Sequence, residues 1–167
     1  MKSRRNFFVA ILLVAIMCIG VGFAELASVI SGTGKITYGP TFAITWNGAT
    51  ADSGKTTDVS DIVGTGEELS FKVNTSSWAI SDSVTITATV KNDLKYAAKD
   101  VEVQNLTTTA VEDYYTVTVV LEDGKNTIAA AGTLDVIITI EMTAYPQVDE
   151  TGFDETFTFE VSAKQDV

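Results

Sequence analysis

The chain has 167 residues, with 11 Lys+Arg against 22 Asp+Glu, no His, one Cys and two Pro. Without imidazole there is no Ser-His-Asp triad, no Cys-His pair and no zinc site built on histidine. A formal charge of −11 has the wrong sign for the phosphates of nucleic acid or for an anionic membrane surface. The composition points to a structural or binding protein of one domain rather than an enzyme.

Residues 1–24 read as an export signal. Lys2, Arg4 and Arg5 form a positive start, and residues 7–19 are an unbroken apolar run of 13. Gly20-Val21-Gly22-Phe23-Ala24 then supplies small residues ahead of a cut between Ala24 and Glu25. The competing reading is an uncleaved anchor, because residues 7–24 would make a helix of about 27 Å, only just a bilayer span. Cys18 follows Met17 rather than a small residue, which argues against lipidation. Cleavage would leave residues 25–167 with no Cys and eight Lys+Arg against 22 Asp+Glu, a charge of −14. The chain has no C-terminal apolar stretch and no Leu-Pro-x-Thr-Gly sorting signal. The expected location is therefore extracellular or at the cell surface, with membrane contact only through the N-terminal segment before cleavage.

Residues 25–34 form a mildly apolar, β-capable arm containing Leu26, Ala27, Val29 and Ile30, with Gly32 and Gly34 separating it from the body. Such an arm has two outlets. It can fold back as an edge strand of its own domain, or add to the open edge of the next subunit and build a head-to-tail filament. In an extended conformation Leu26, Ser28 and Ile30 face one way, and Ala27 and Val29 the other.

Residues 35–167 read as strands and little else. In chain order the alternating runs are residues 35–38, Phe42/Ile44/Trp46, Leu69/Phe71/Val73, Val84/Ile86/Ala88/Val90 and residues 100–104. They continue with Tyr115/Val117/Val119/Leu121, Leu134/Val136/Ile138/Ile140/Met142 and Phe157/Phe159/Val161. Ile137 is the one apolar residue on the outer face of its run. Residues 48–66 read as a long connection, with at most one helical turn over 57–63. About eight strands with one apolar face each predict an all-β fold, a two-sheet antiparallel β-sandwich of jelly-roll or immunoglobulin-like topology.

Carboxylates are the only plentiful reactive groups. Asp149, Glu150, Asp154 and Glu155 crowd one stretch and are weak calcium candidates, while Asp58 and Asp61 sit in another; neither has the ligand spacing of a calcium loop. A solvated acidic loop accounts for both, and no metal or other cofactor is expected. A carboxylate glycosidase would need a cleft with aromatic platforms. Trp46 is in phase with the core, which leaves Trp78 as the candidate sugar platform. Asn74-Thr75-Ser76 and Asn105-Leu106-Thr107 match the glycosylation acceptor pattern.

The stretch VGFAELASVISGTGKITYGPTFAITW and the later VTITATVKND together resemble the TasA/camelysin family of secreted biofilm-matrix proteins. The family's V-x-V-x-N-x-G strand end corresponds to residues 88–94, where Val90 and Asn92 are kept while Ala88 and Leu94 depart. The resemblance implies a jelly-roll subunit that polymerises into extracellular fibres by donor-strand exchange, using the segment after the cut. The peptidase label carried by some members does not extend to a chain without His-Glu-x-x-His. The expected function is thus a secreted fibre subunit whose main partner is itself, with other matrix proteins as further candidates. The alternative is a membrane-tethered monomeric β-sandwich serving as a binding or adhesion module.

Overall fold

A computed structural model describes residues 28–37, 44–108, 113–145 and 153–165. It contains β1 (Ser28–Thr37), β2 (Ile44–Gly54), β3 (Val59–Gly66), β4 (Glu68–Asn74), β5 (Ser83–Asn92), β6 (Ala98–Thr107), β7 (Tyr115–Leu121), β8 (Thr133–Met142) and β9 (Phe153–Gln165). Two single 3₁₀ turns, Thr56–Asp58 and Glu122–Gly124, are the only helical elements among the described residues. None of the helices there is long and apolar enough to cross a membrane. Residues 1–27, with the signal segment, the Ala24/Glu25 cut, Leu26 and Ala27, lie outside the described residues.

The alternation read from the sequence produces the strands for the expected reason. On β5, Val84, Ile86, Ala88 and Val90 are buried between half-buried threonines, and β8 buries Leu134, Val136, Ile138, Ile140 and Met142. Beta-branched residues on both faces suit a pleated, half-buried surface. The two strands pair antiparallel from Ser83↔Glu141 to Lys91↔Thr133, which puts both apolar sets on one side.

The architecture is all-β, but it corrects the two-sheet sandwich. All nine strands belong to one sheet in the order β6-β9-β1-β4-β3-β2-β5-β8-β7. Every pairing is antiparallel except β1 with β9. The two ends, β6 and β7, approach each other, so the sheet curls almost into a barrel around its own core. Period-two alternation says only that each strand has one buried face. A sheet can cover that face with a second sheet or by wrapping on itself, and the pattern is the same in both cases.

A second correction concerns residues 48–66. They carry the end of β2 and the whole of β3, and the helical turn is confined to Thr56–Asp58. The region hides its strands because β3 is mostly exposed. Bulges also interrupt β2 against β5 and β3 against β4, with Gly48 and Asp61 at positive φ. An extra residue at a bulge resets the inside-outside phase, so no alternation survives to be read.

Candidate functional site

The arm and the short strand expected at residues 35–38 are one element. β1 runs unbroken through the proposed 34/35 boundary and lies between two neighbours rather than at an edge. It is antiparallel to β4 from Val29↔Asn74 to Lys35↔Glu68, and parallel to β9 from Ser28↔Phe153 to Thr37↔Ser162. Ile30, Gly32, Gly34 and Ile36 are buried, while Val29 is half-buried on the opposite face. Burial of Ile30 and Ile36 contributes roughly 1.5–3 kcal/mol each.

The two glycines are seats for aromatic rings rather than a flexible joint. Gly32 is flanked in register by Phe71 on β4 and Phe157 on β9, and Gly34 by Leu69 and Phe159. A Cβ added at Gly32 would collide with the Phe71 ring tip and lie 2.7 Å from Phe157 Cζ. One at Gly34 would lie 2.7 Å from Phe159 Cζ. The rings close over the bare backbone in a continuous layer. Phe71 and Phe157 have centroids 5.8 Å apart, Phe157 and Phe159 stack at 6.4 Å, and Trp46 meets Phe159 edge-on at 6.2 Å. Aromatic cover of sheet glycines is a recognised way of fixing strand register.

Among the described residues β1 is also the ladder's only link between the β6-β9 pair and the β4-β3-β2-β5-β8-β7 block. On the far side these two parts are stitched by the Ala98–Ile128 bridge and the bond from Val101 N to Asn126 O. Removing β1 would open a slot walled by Leu69, Phe71 and Val73 on one side and Phe157, Phe159 and Val161 on the other. On the outer surface Lys35 stands in register between Glu68 and Glu160. There a hollow of about 630 Å³, also lined by Asn105 and Thr107, marks the C-terminal half of β1.

The other sequence candidates separate. Asp154 and Glu155 belong to β9 and pair with Val29 and Ile30, whereas Asp149 and Glu150 lie outside the described residues. Among the described residues no cluster of three or more Asp, Glu, Cys or His is arranged to hold a metal ion. Asp58 accepts a hydrogen bond from Trp78 Nε1 at 2.9 Å, and Asp61 pairs with Lys72 at 3.0 Å. Trp78 is only 4% exposed, so it is a core side chain and offers no platform to a sugar. Asn74 is exposed and its Oδ1 accepts from Ser76 N. Asn105 is exposed on β6 and its Nδ2 donates to Glu160.

Asn92, kept from the resembled motif, is fully buried. Its Nδ2 donates to the carbonyls of Tyr96 (2.7 Å) and Ala129 (3.2 Å), and its Oδ1 accepts from Leu94 N at 3.1 Å. Leu94, where the motif has glycine, packs part-buried against the core.

The slot's aromatic wall was missed in the sequence, although a signal for it is present. Gly-x-Gly at 32/34 has the same spacing as Phe-x-Phe at 157/159, and in parallel register each glycine meets one ring. Compared with known families and with curated proteins, the chain matches neither a family model nor a protein.

Proposed function

We propose that this chain is a non-enzymatic, exported structural subunit that polymerises by exchanging β1 between neighbours. The observation that carries the reading is that an N-terminal strand fills an interior place in the sheet, between β9 and β4. Cleavage after Ala24 leaves three residues ahead of Ser28, so β1 is tied to its own body only through Thr37. Such a strand can leave without threading a loop, and an identical slot on another copy accepts it with the same ladder and the same ring-over-glycine contacts. Each subunit then gives β1 to one neighbour and receives it from another, which yields an open fibre.

A pair of cysteines tests this directly, because Cys18 lies in the segment that is removed. Thr33 and Thr158 are exposed, in register on β1 and β9, and adjacent strands are about 4.8 Å apart, within reach of a disulfide. Thr33→Cys with Thr158→Cys, oxidised before assembly, is expected to give monomers that form no filaments by electron microscopy until reduced. Oxidised after assembly, the same protein should run as covalent multimers on a non-reducing gel. Filaments formed equally by the pre-locked monomer would sink the exchange of β1. A chain beginning at Lys35 should likewise form none.

Charge sets the conditions. At −14, self-repulsion opposes subunit contact, and its range shrinks from about 30 Å at 0.01 M salt to about 10 Å at 0.1 M. Salt, divalent cations or mild acid should therefore increase light scattering, and assembly indifferent to all three would count against the reading. Acid has a second effect of opposite sign. Asp82, held by the Ala79 N–H and by Lys55, and Asp93, held by Lys91 and Thr45, have carboxyls below the ordinary value of 3.8. Their contribution to stability is complete above that value and fades as pH falls below it through their lowered folded values. Assembly should thus rise on moving from neutral toward about pH 4, before these contributions are lost.

A second reading rests on residues 7–24. Were that run retained, the same domain would sit at a membrane with β1 in its own slot, as a binding module. The N-terminal residue of protein recovered from cells separates the two: Glu25 supports the fibre, Met1 the tether.

A further inference from the structure

The sheet has a second break, where its two ends meet, separated from β1 by β9 and β6. β6 and β7 are its two ends, yet they share no ladder among the described residues. The 126–128 segment stitches one end of this seam, through Ala98–Ile128 and Val101 N to Asn126 O. Among the described residues, β6 beyond Val101 has no backbone partner on that side, and residues 116–121 of β7 have their ladder with β8 alone. Between the two free edges runs a groove of about 650 Å³, within the range of ligand-binding pockets.

The lining says what would fit. Its inner wall is apolar, with Val101, Val103, Val119 and Leu121. Every charged side chain that lines it, Glu102 and Asp123, is a carboxylate. The outer lip is apolar too. Val120 is 46% exposed beside its cross-strand partner Ile137, on a face that also carries Thr116, Thr118, Thr139 and Glu141. Natural sheets normally protect a free edge with charge, proline or a bulge. β7 has none of these and carries an exposed valine instead.

We propose that the β6/β7 seam is a strand-accepting site for an extended segment of a second protein, one that alternates apolar with basic residues. The added main chain would complete the ladder on β7. Its inward side chains would fill the groove between Val103 and Val119, and its basic residues would meet Glu102 and Asp123. A second copy of this strongly acidic chain is disfavoured as the occupant by its charge. The site is separate from the β1 slot and stands whether or not β1 is exchanged.

The test uses the full-length protein and two labelled peptides of about eight residues, one alternating Val with Lys and the other Val with Glu. Fluorescence anisotropy is expected to show saturable binding of the Val/Lys peptide at least about tenfold tighter than Val/Glu, weakening with salt. Hydrogen exchange should slow at residues 102–107 and 115–121. Val120→Lys, which removes the apolar lip and repels a basic peptide, should weaken binding about tenfold, and Glu102→Lys with Asp123→Lys should invert the peptide preference, each with unfolding temperature checked. Equal affinity for the two peptides, absence of saturable binding, or protection at β4 and β9 instead would overturn the proposal. So would self-association of the protein through β7 that excludes the peptide, which would assign the seam to a second copy.

Discussion

Replacing Gly32 by alanine is expected to destabilise the protein, against the usual direction for this change. In an ordinary strand interior, Gly→Ala stabilises by roughly 0.5–1 kcal/mol because alanine has less freedom to lose. Here the new methyl meets the rings of Phe71 and Phe157. Both are buried in a stacked layer with Phe159 and have no solvent side to retreat to. Overpacking of this kind costs about 1–3 kcal/mol, and Gly32→Val should lie at or above the upper end. For a domain of this size that is a fall of roughly 5–10 °C in melting temperature. Filament formation should fail with it, since the same collision occurs in a neighbour's slot. Adding Phe71→Leu should recover part of the loss in a double-mutant cycle, because residues in contact couple by about 0.5–3 kcal/mol. A stabilised Gly32→Ala, or strictly additive effects with Phe71→Leu, would refute the ring-over-glycine account.

Asn92→Ala is expected to be the most damaging polar substitution. One buried amide serves carbonyls of two different loops and an amide of its own turn. Its loss removes the partner of three part-buried backbone groups and leaves a void at a fully buried site, and each group left unpaired costs up to about 1–3 kcal/mol. We expect a loss of about 3–5 kcal/mol, read as a lower urea midpoint with an unchanged slope. Asn92→Asp should be nearly as harmful, since a carboxylate keeps the bond from Leu94 N and turns repulsive oxygen toward the carbonyls of Tyr96 and Ala129. The damage should also spread in one direction. The 128–132 segment that Asn92 grips also carries the Ala98–Ile128 bridge, so the amides of Ala98 and Ile128 should exchange faster than those of β4. A loss below about 1 kcal/mol would mean that the loops hold without the amide.

Strands whose phase is never interrupted were legible. β5 and β8 could be read residue by residue, because nothing between their ends shifts the side chains from one face to the other. β3 could not, because its few apolar residues are split by bulges and Val63 points to solvent. Alternation places Ile30 and Val29 on opposite faces, as in the structure, since phase is a local property. The position of β1 was not legible. Its parallel partner lies more than a hundred residues further on, and alternation carries no information about which strand is whose neighbour. For the same reason Gly32 and Gly34 read as a joint. Only their juxtaposition with Phe157 and Phe159 gives them a packing role.

The placement of β1 fixes an order of events. Among the described strands it is the first in the chain and can pair early with β4, but its other neighbour, β9, comes last of the nine. The sheet therefore cannot be completed until β9 has been made, and a contact of such long sequence separation is slow to form. Until β9 arrives one edge of β1 stays open and the aromatic layer is incomplete. Under the proposed exchange of β1, the interval before closure is when a strand from another copy would compete on the most favourable terms. Intermolecular seating should therefore be governed by the rate of chain completion as much as by equilibrium affinity, and a subunit that has already closed on itself becomes a kinetically guarded store.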